Sequence, residues 1–333
     1  MGSRPADLQI ATAPFVHQGQ STRRVMLEVV AGALVIAAVA TWYFGLAAIL
    51  LIVTAVIGAC GTEWLLQPAP RKGLGSLRDG SALLTGLLLA LTLPPSMPLW
   101  MALLGGVVGV GLGKVIWGGL GQNMFNPALV GRAFLQAAFP TAITTWTAPG
   151  QEFMKISSST VAAPLLHGNV DIVTSATPLG MAKFEKHFMD LGPMLSGNTA
   201  GSLGETAAIA LIVVGLVLGV RRIFDWRLPV STLLTAAIFA GIVHLVAPES
   251  YPSPLFVLTS GGLLFGAVFM VTDPVTTPIT PKGAWIYGVG VGLLVVLIRF
   301  WGGLPEGVMY AILLMNGVTP LINRATQPRR FGG

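Results

Sequence analysis

The chain has 333 residues, of which 53% are hydrophobic and 10% charged, with 19 Lys and Arg against 13 Asp and Glu. Soluble domains carry about 25% charged residues, and a soluble fold with so few would expose large apolar patches to water, so the composition reads as an integral membrane protein. The net charge of +6 does not point to nucleic acid, because the cations flank apolar segments instead of forming a stripe, and the one cysteine, Cys60, leaves no disulfide or thiolate metal framework within the chain.

Residues 1–22 contain no apolar core and do not read as a secretory signal peptide. The opening Met-Gly lacks a Ser or Thr at the sixth position, which excludes the myristoylation pattern. A membrane helix needs about 20 mainly apolar residues. Helices are expected near 25–43, 46–66, 98–117, 206–220, 229–247, 254–272, 284–301 and 307–322. Two shorter apolar pieces, 81–93 and 127–139, sit beside proline or glycine and read as broken helices. The sum is an all-α polytopic protein of about ten segments. Gly105, Gly106, Gly109, Gly111 and Gly113 mark a face for close helix packing.

Alternating the segments from Arg23 and Arg24 places Arg71, Lys72, Arg78, Lys114, Arg221, Arg222, Arg227, Lys282, Arg324, Arg329 and Arg330 on one side. The other side receives Lys155, Lys183 and Lys186. By the positive-inside rule both termini are cytoplasmic and the long loop 140–204 lies outside. The expected organisation is a cytoplasmic segment 1–22, a first membrane unit 23–139, the outer loop 140–204, a second membrane unit 205–323 and a cytoplasmic tail 324–333.

The two membrane units echo each other. Leu83-Leu84-Thr85-Gly86 with Thr92-Leu93-Pro94 returns as Leu263-Leu264-Phe265-Gly266 with Thr272-Asp273-Pro274, and Trp117-Gly118-Gly119-Leu120 returns as Trp301-Gly302-Gly303-Leu304. An odd number of segments per unit makes the repeat inverted, the arrangement that places ligands where broken helices meet. Thr92-x-Pro94 and Thr272-x-Pro274 are expected to end half-helices whose freed backbone groups need partners; kinks in packed helices are the plain alternative.

Catalytic dyads and triads are absent at any testable spacing, and His17, His167, His187 and His244 show no metal-ligand spacing. His244 lies in an apolar segment and is expected to be a hydrogen-bonded structural histidine. Among the charges inside apolar segments, Glu28, Glu63, Lys114 and Arg299 lie near predicted ends and are expected to reach the interface. Arg132 follows Gln122-Asn123-Met124-Phe125-Asn126-Pro127, a polar start to a short helix; its guanidinium suits a carbonyl or phosphate, or a structural charge between helices. Read from residues alone, Thr174-Ser175-Ala176-Thr177-Pro178 is an ordinary polar turn.

Three motifs in order, GQNMFNPALVGRAF at 121–134, VTSATPLG at 173–180 and EGVMYAILLMNGVTPLINR at 306–324, resemble the D subunit of the Rnf complex, the membrane ferredoxin:NAD oxidoreductase that couples electron transfer to ion translocation. The sister family is the B subunit of the sodium-translocating NADH:quinone reductase. The resemblance covers residues 20–324. It implies a urea-transporter-like fold of two inverted five-segment repeats in the bacterial inner membrane. It implies FMN on Thr177 through a phosphoester, within an attachment motif of Asp171, Thr174, Ser175 and Ala176, where Ser175 replaces the usual glycine. It also implies a noncovalent riboflavin, with Asn123, Phe125, Asn126, Arg132 and Asp273 as candidate contacts. The implied partners are the lipid bilayer, the other Rnf subunits (A, B, C, E and G) and a flavin transferase, with iron–sulfur clusters and NADH oxidation left to those subunits. The rival classes are a solute channel or permease of urea-transporter-like architecture, and a structural scaffold.

Overall fold

The computed structural model describes residues 21–67, 77–150, 153–154, 156–164, 175–205 and 207–327. Helix α1 (Thr22–Phe44) starts at Ser21, whose hydroxyl accepts from Arg24 N, and stops at Gly45, which takes a positive φ to turn the chain straight into α2 (Leu46–Leu66). Then follow α3 (Ser81–Leu91), α4 (Leu99–Val110, continued by a π-helical turn to Val115) and α5 (Pro127–Ala138). The second half contains α6 (Ala208–Val220), α7 (Arg227–Val246), α8 (Pro254–Thr259) and α9 (Leu263–Phe265, continued by a π-helical turn to Met270). It closes with α10 (Pro281–Trp301) and α11 (Val308–Thr326). No β-strand occurs among the described residues.

Four helices, α1, α2, α7 and α10, are long and apolar enough to cross a membrane. Their outward faces carry exposed Leu34, Ile57, Ile238, Ile242 and Ile286, which water would not tolerate and lipid would. The protein is a multi-pass helical membrane protein. In the first half α2 packs on α3 and α4, and α4 on α5; in the second, α7 packs on α10, and α10 on α11. The halves meet where α1 touches α6 and α5 touches α11. At the α2–α4 crossing a Cβ on Gly106 would collide with Ala55 O, so glycine there allows backbone contact between the helices.

The broken helices differ from expectation in one place. The half-helix α3 ends at Thr92 and the π-helical turn after α9 ends at Met270, beside the predicted Thr-x-Pro stops. The run 254–272, however, is not one span. It breaks at Ser260-Gly261-Gly262, between α8 and α9. The backbone groups freed there have partners from elsewhere in the chain, described below, and those partners make the break stable.

Three charges expected at the interface are instead inside. Glu63 and Lys114 are each 1% exposed; Lys114 Nζ donates to both Glu63 oxygens at 2.8 and 2.7 Å and to Ser81 Oγ at 2.5 Å. Ser81 Oγ in turn donates to Asp79 Oδ1. The tight α2–α4 packing leaves neither chain a route to water, so each neutralises the other. Arg299 is also buried, in α10. His244 meets its expectation, with Nδ1 2.8 Å from Tyr251 O. Glu63→Gln should strand a buried ammonium and lower stability by about 3–5 kcal/mol, whereas Glu63→Leu with Lys114→Met should recover most of the loss; thermal unfolding in detergent measures both.

Candidate functional site

Within the long loop 140–204, the segment around Thr177 is held at both ends. Thr177 caps a short helix, Pro178–Gly180, with its Oγ1 accepting from Gly180 N at 3.1 Å, and a π-helical turn, Met181–Glu185, continues it. Proline at the first helical position costs no hydrogen bond and fixes the entry angle. Ser175 N donates to Trp146 O at 2.9 Å. At the other end Lys183 Nζ donates to Ile298 O, Arg299 O, Gly302 O and Leu304 O at 3.3, 3.0, 2.5 and 2.8 Å. Those carbonyls surround the C-terminus of α10, where a cation is favoured by the helix dipole. Burial pushes the Lys183 ammonium down from the usual lysine range; the carbonyl cage acts the other way and favours the charged form. Leu179 completes the docking by packing with Ala182, Met194 and Phe256.

Thr177 lines a cavity of about 530 Å³, together with Trp146, Ser175, Arg132, Glu205 and Ser260. Exposed Ala176, Phe184 and Glu185 stand at its rim, so it opens to the face from which the Thr177 segment enters. Its base is polar because both helix breaks end there. At the first break, Arg132 Nη1 donates to Thr92 O at 2.8 Å, while Gly204 N and Leu203 N donate to Leu91 O and Leu93 O. At the second, Arg299 Nη1 donates to Val257 O at 2.7 Å and Nη2 to Ser260 O at 3.1 Å. Each arginine has an acid: Glu205 Oε1 lies 3.7 Å from Arg132 Nη1, and Glu306 lies 3.2 Å from Arg299 Nη2. Gly261 takes φ +59° at the second break, and a Cβ there would strike Leu179, Glu306 and Arg299 together. Two buried donors that line the cavity have no protein partner: Arg132 Nε, on a residue 8% exposed, and Ser260 Oγ, on one 1% exposed. Buried polar atoms of this kind ask for a ligand or water.

A second polar cluster lies where α5 begins and the chain leaves Met270. Asn126 Oδ1 caps α5 by accepting from Ala128 N and Leu129 N, and its Nδ2 donates to Asp273 Oδ2 at 3.3 Å. Asp273 also accepts from Val275 N and Thr276 Oγ1. Asn123 Oδ1 is buried without a partner. The structure thus brings Asn123, Asn126 and Asp273 around one cavity, of only about 60 Å³. That is far smaller than the cavity lined by Thr177. Phe125 lies to the side, against Gly317 of α11, and Arg132 belongs to the larger cavity. Asp171 and Thr174 fall outside the described residues.

Sequence reasoning missed Glu205, Ser260, Glu306 and the role of Lys183. The one available signal was rarity: with 13 acids in the whole chain, an acid in Gly-Ser-Leu-Gly-Glu205 or Leu-Pro-Glu306 is conspicuous. Nothing in the spacing says that they meet at one cavity.

A multi-pass helical protein with two broken half-helices and a polar cavity at their junction is the class defined so far. The chain belongs to the NQR2, RnfD, RnfE family, whose model matches residues 9–332. It is 40% identical over 337 residues to the D subunit of the proton-translocating ferredoxin:NAD(+) oxidoreductase complex of Clostridium ljungdahlii, covering 97% of this chain and 96% of that protein. It is 40% identical to the D subunit of the ion-translocating oxidoreductase complex of Stutzerimonas stutzeri, over 94% and 92% of the two chains. With the D subunit of the Na(+)-translocating ferredoxin:NAD(+) oxidoreductase complex of Acetobacterium woodii it shares 39% over 98% and 96%.

Lys183→Met should cost the segment its anchor, a loss of about 1.5–3 kcal/mol for a charged hydrogen-bond set. Amide exchange over 177–185 should rise at least about tenfold while α10 keeps its protection, as read by hydrogen–deuterium exchange.

Proposed function

We propose that the chain is the D-type membrane subunit of an Rnf-type, ion-translocating ferredoxin:NAD oxidoreductase complex, and that it carries FMN as a phosphoester on Thr177. The observation that carries this reading is the placement of the Thr177 hydroxyl on a cavity of about 530 Å³, within the range that encloses a cofactor-sized molecule. The names of its relatives supply the complex; partner subunits of that complex, and a flavin transferase for maturation, follow with it. In this reading ten segments form two inverted repeats in a bacterial inner membrane, with both termini cytoplasmic and Thr177 on the outer side.

The residues present suit the group. Thr177 would hold it covalently, Arg132 Nε and Ser260 Oγ offer donors without other partners, and Trp146 offers a ring face. When bound, an isoalloxazine supplies uptake and release of electrons singly or in pairs, which no side chain of this chain provides. The protein's part is position and environment. Lys183 fixes the segment to α10, Ser175 N ties it to Trp146 O, and the Arg132–Glu205 and Arg299–Glu306 pairs build a fixed polar floor. A second flavin near Asn123, Asn126 and Asp273 would need that cavity to open, and no step is assigned to it.

On a denaturing gel the purified chain should fluoresce under ultraviolet light, and Thr177→Val should be dark. A band that survives the substitution places the attachment elsewhere. A colourless protein that conducts a solute would favour the channel reading instead.

A further inference from the structure

Arg132, Glu205 and Glu306 line the base of the Thr177 cavity, Arg299 is bonded to Glu306 behind them, and the two acids are unequally satisfied. Glu306 accepts from Gly262 N and Gly307 N at 3.0 Å, from Val308 N at 3.1 Å, and from Arg299 Nη2 at 3.2 Å on both oxygens. That set holds it as a carboxylate. Glu205 has a looser cationic partner: Arg132 Nη1 stands at 3.7 Å, beyond hydrogen-bond length, and makes its short bond to Thr92 O. Glu205 also presses on the residue that Glu306 holds, since a Cβ on Gly262 would lie 2.7 Å from Glu205 Oε1. The charged groups facing Glu205 are therefore Arg132 from α5, Glu306 from the linker before α11 and Arg299 from α10. Both acids, with the unpartnered Arg132 Nε and Ser260 Oγ, line the cavity that Thr177 lines.

We propose that Glu205 takes up one proton when a single electron reaches this cavity. The proposal rests on the reading of Thr177 as a flavin carrier. Each electron comes from a one-electron donor, a reduced iron–sulfur or flavin centre of a partner subunit, which is oxidised in the step. The electron adds one negative charge near a floor that already holds two carboxylates and two guanidinium groups. One proton leaves the aqueous phase at the cavity mouth and forms an O–H bond with a Glu205 oxygen, so the charge of the cavity is unchanged. When the electron moves on, that O–H bond breaks and the proton returns to water. Glu306 cannot take this role, because protonation would forfeit acceptance from three backbone amides and Arg299. Glu205 gives up one long ion pair and weakens its contact with Ser202, and it sheds repulsion from its acidic neighbour. An added charge left uncompensated in so buried a place is strongly unfavourable, which is why the electron and proton would move together.

The test is reduced-minus-oxidised infrared spectroscopy of the purified complex, with proton uptake followed by a pH dye. On reduction, the wild type should gain the carbonyl-stretch band of a protonated carboxylic acid, shifted in D₂O. Glu205→Gln should lack the band and take up one proton fewer on one-electron reduction; Glu205→Asp should keep it at a shifted position. Gel fluorescence of each variant reports that the chain is loaded. If the wild type fluoresces but shows no such band, or the band persists unshifted in Glu205→Gln or Glu205→Asp, the proton role of Glu205 is wrong while the flavin reading stands. If the wild type itself does not fluoresce, the flavin reading fails and takes this proposal with it. Should Glu205→Gln not load flavin, the position of the band in Glu205→Asp decides alone.

Discussion

Two interrupted helices inside an apolar bundle impose one requirement on everything near them: each backbone carbonyl and amide that loses its helical partner must find another, away from water. The chain meets it with two arginines. Arg132 serves Thr92 O at the first break; Arg299 serves Val257 O and Ser260 O at the second. A guanidinium can satisfy several carbonyls, but it brings a charge that must be balanced. Glu205 and Glu306 balance it, and their side chains must sit where the arginines are. The polar cavity at the junction of the two halves is thus a consequence of breaking the helices, before any ligand is considered.

The Thr177 segment is fitted to this floor with the same economy. The C-terminus of α10 offers carbonyls that need donors, and Lys183 supplies the donors. Leu179 fills the space above Gly261, where any side chain would strike it. One short stretch, 177–183, therefore carries a hydroxyl onto the cavity, covers the second helix break and closes the end of a long helix. A loop that only connected two membrane units would have no need of these three contacts.

Much of the fold is visible in the residues because membrane helices announce themselves by length and apolarity. The ends at Thr92 and Met270 are local, set by Thr-x-Pro chemistry, and could be read. The break at Ser260–Gly262 carries a local signal in Thr259-Ser260-Gly261-Gly262, but small residues also suit close packing inside a membrane helix, and the contacts that stabilise the interruption come from Arg299 and Glu306, far along the chain. The Glu63–Lys114 pair spans 51 residues and the Lys183 contacts span 115 to 121, so no local spacing reveals either. Proximity to a helix end made Glu63, Lys114 and Arg299 look free to reach water; packing on neighbouring helices decided otherwise. For the candidate site, resemblance singles out Thr177, which lines the larger cavity, and of Asn123, Phe125, Asn126, Arg132 and Asp273 the structure keeps Asn123, Asn126 and Asp273 together. In space Arg132 leaves that group and joins Thr177.

The central claim is that the hydroxyl facing this cavity bears the redox group. Peptide-resolved mass spectrometry of the chain, purified from cells that make flavin transferase, addresses it most directly. The account predicts that the peptide containing residue 177 is heavier by FMN less one water, with the increment on Thr177 itself. A bare Thr177 peptide from chain in an active complex would contradict it.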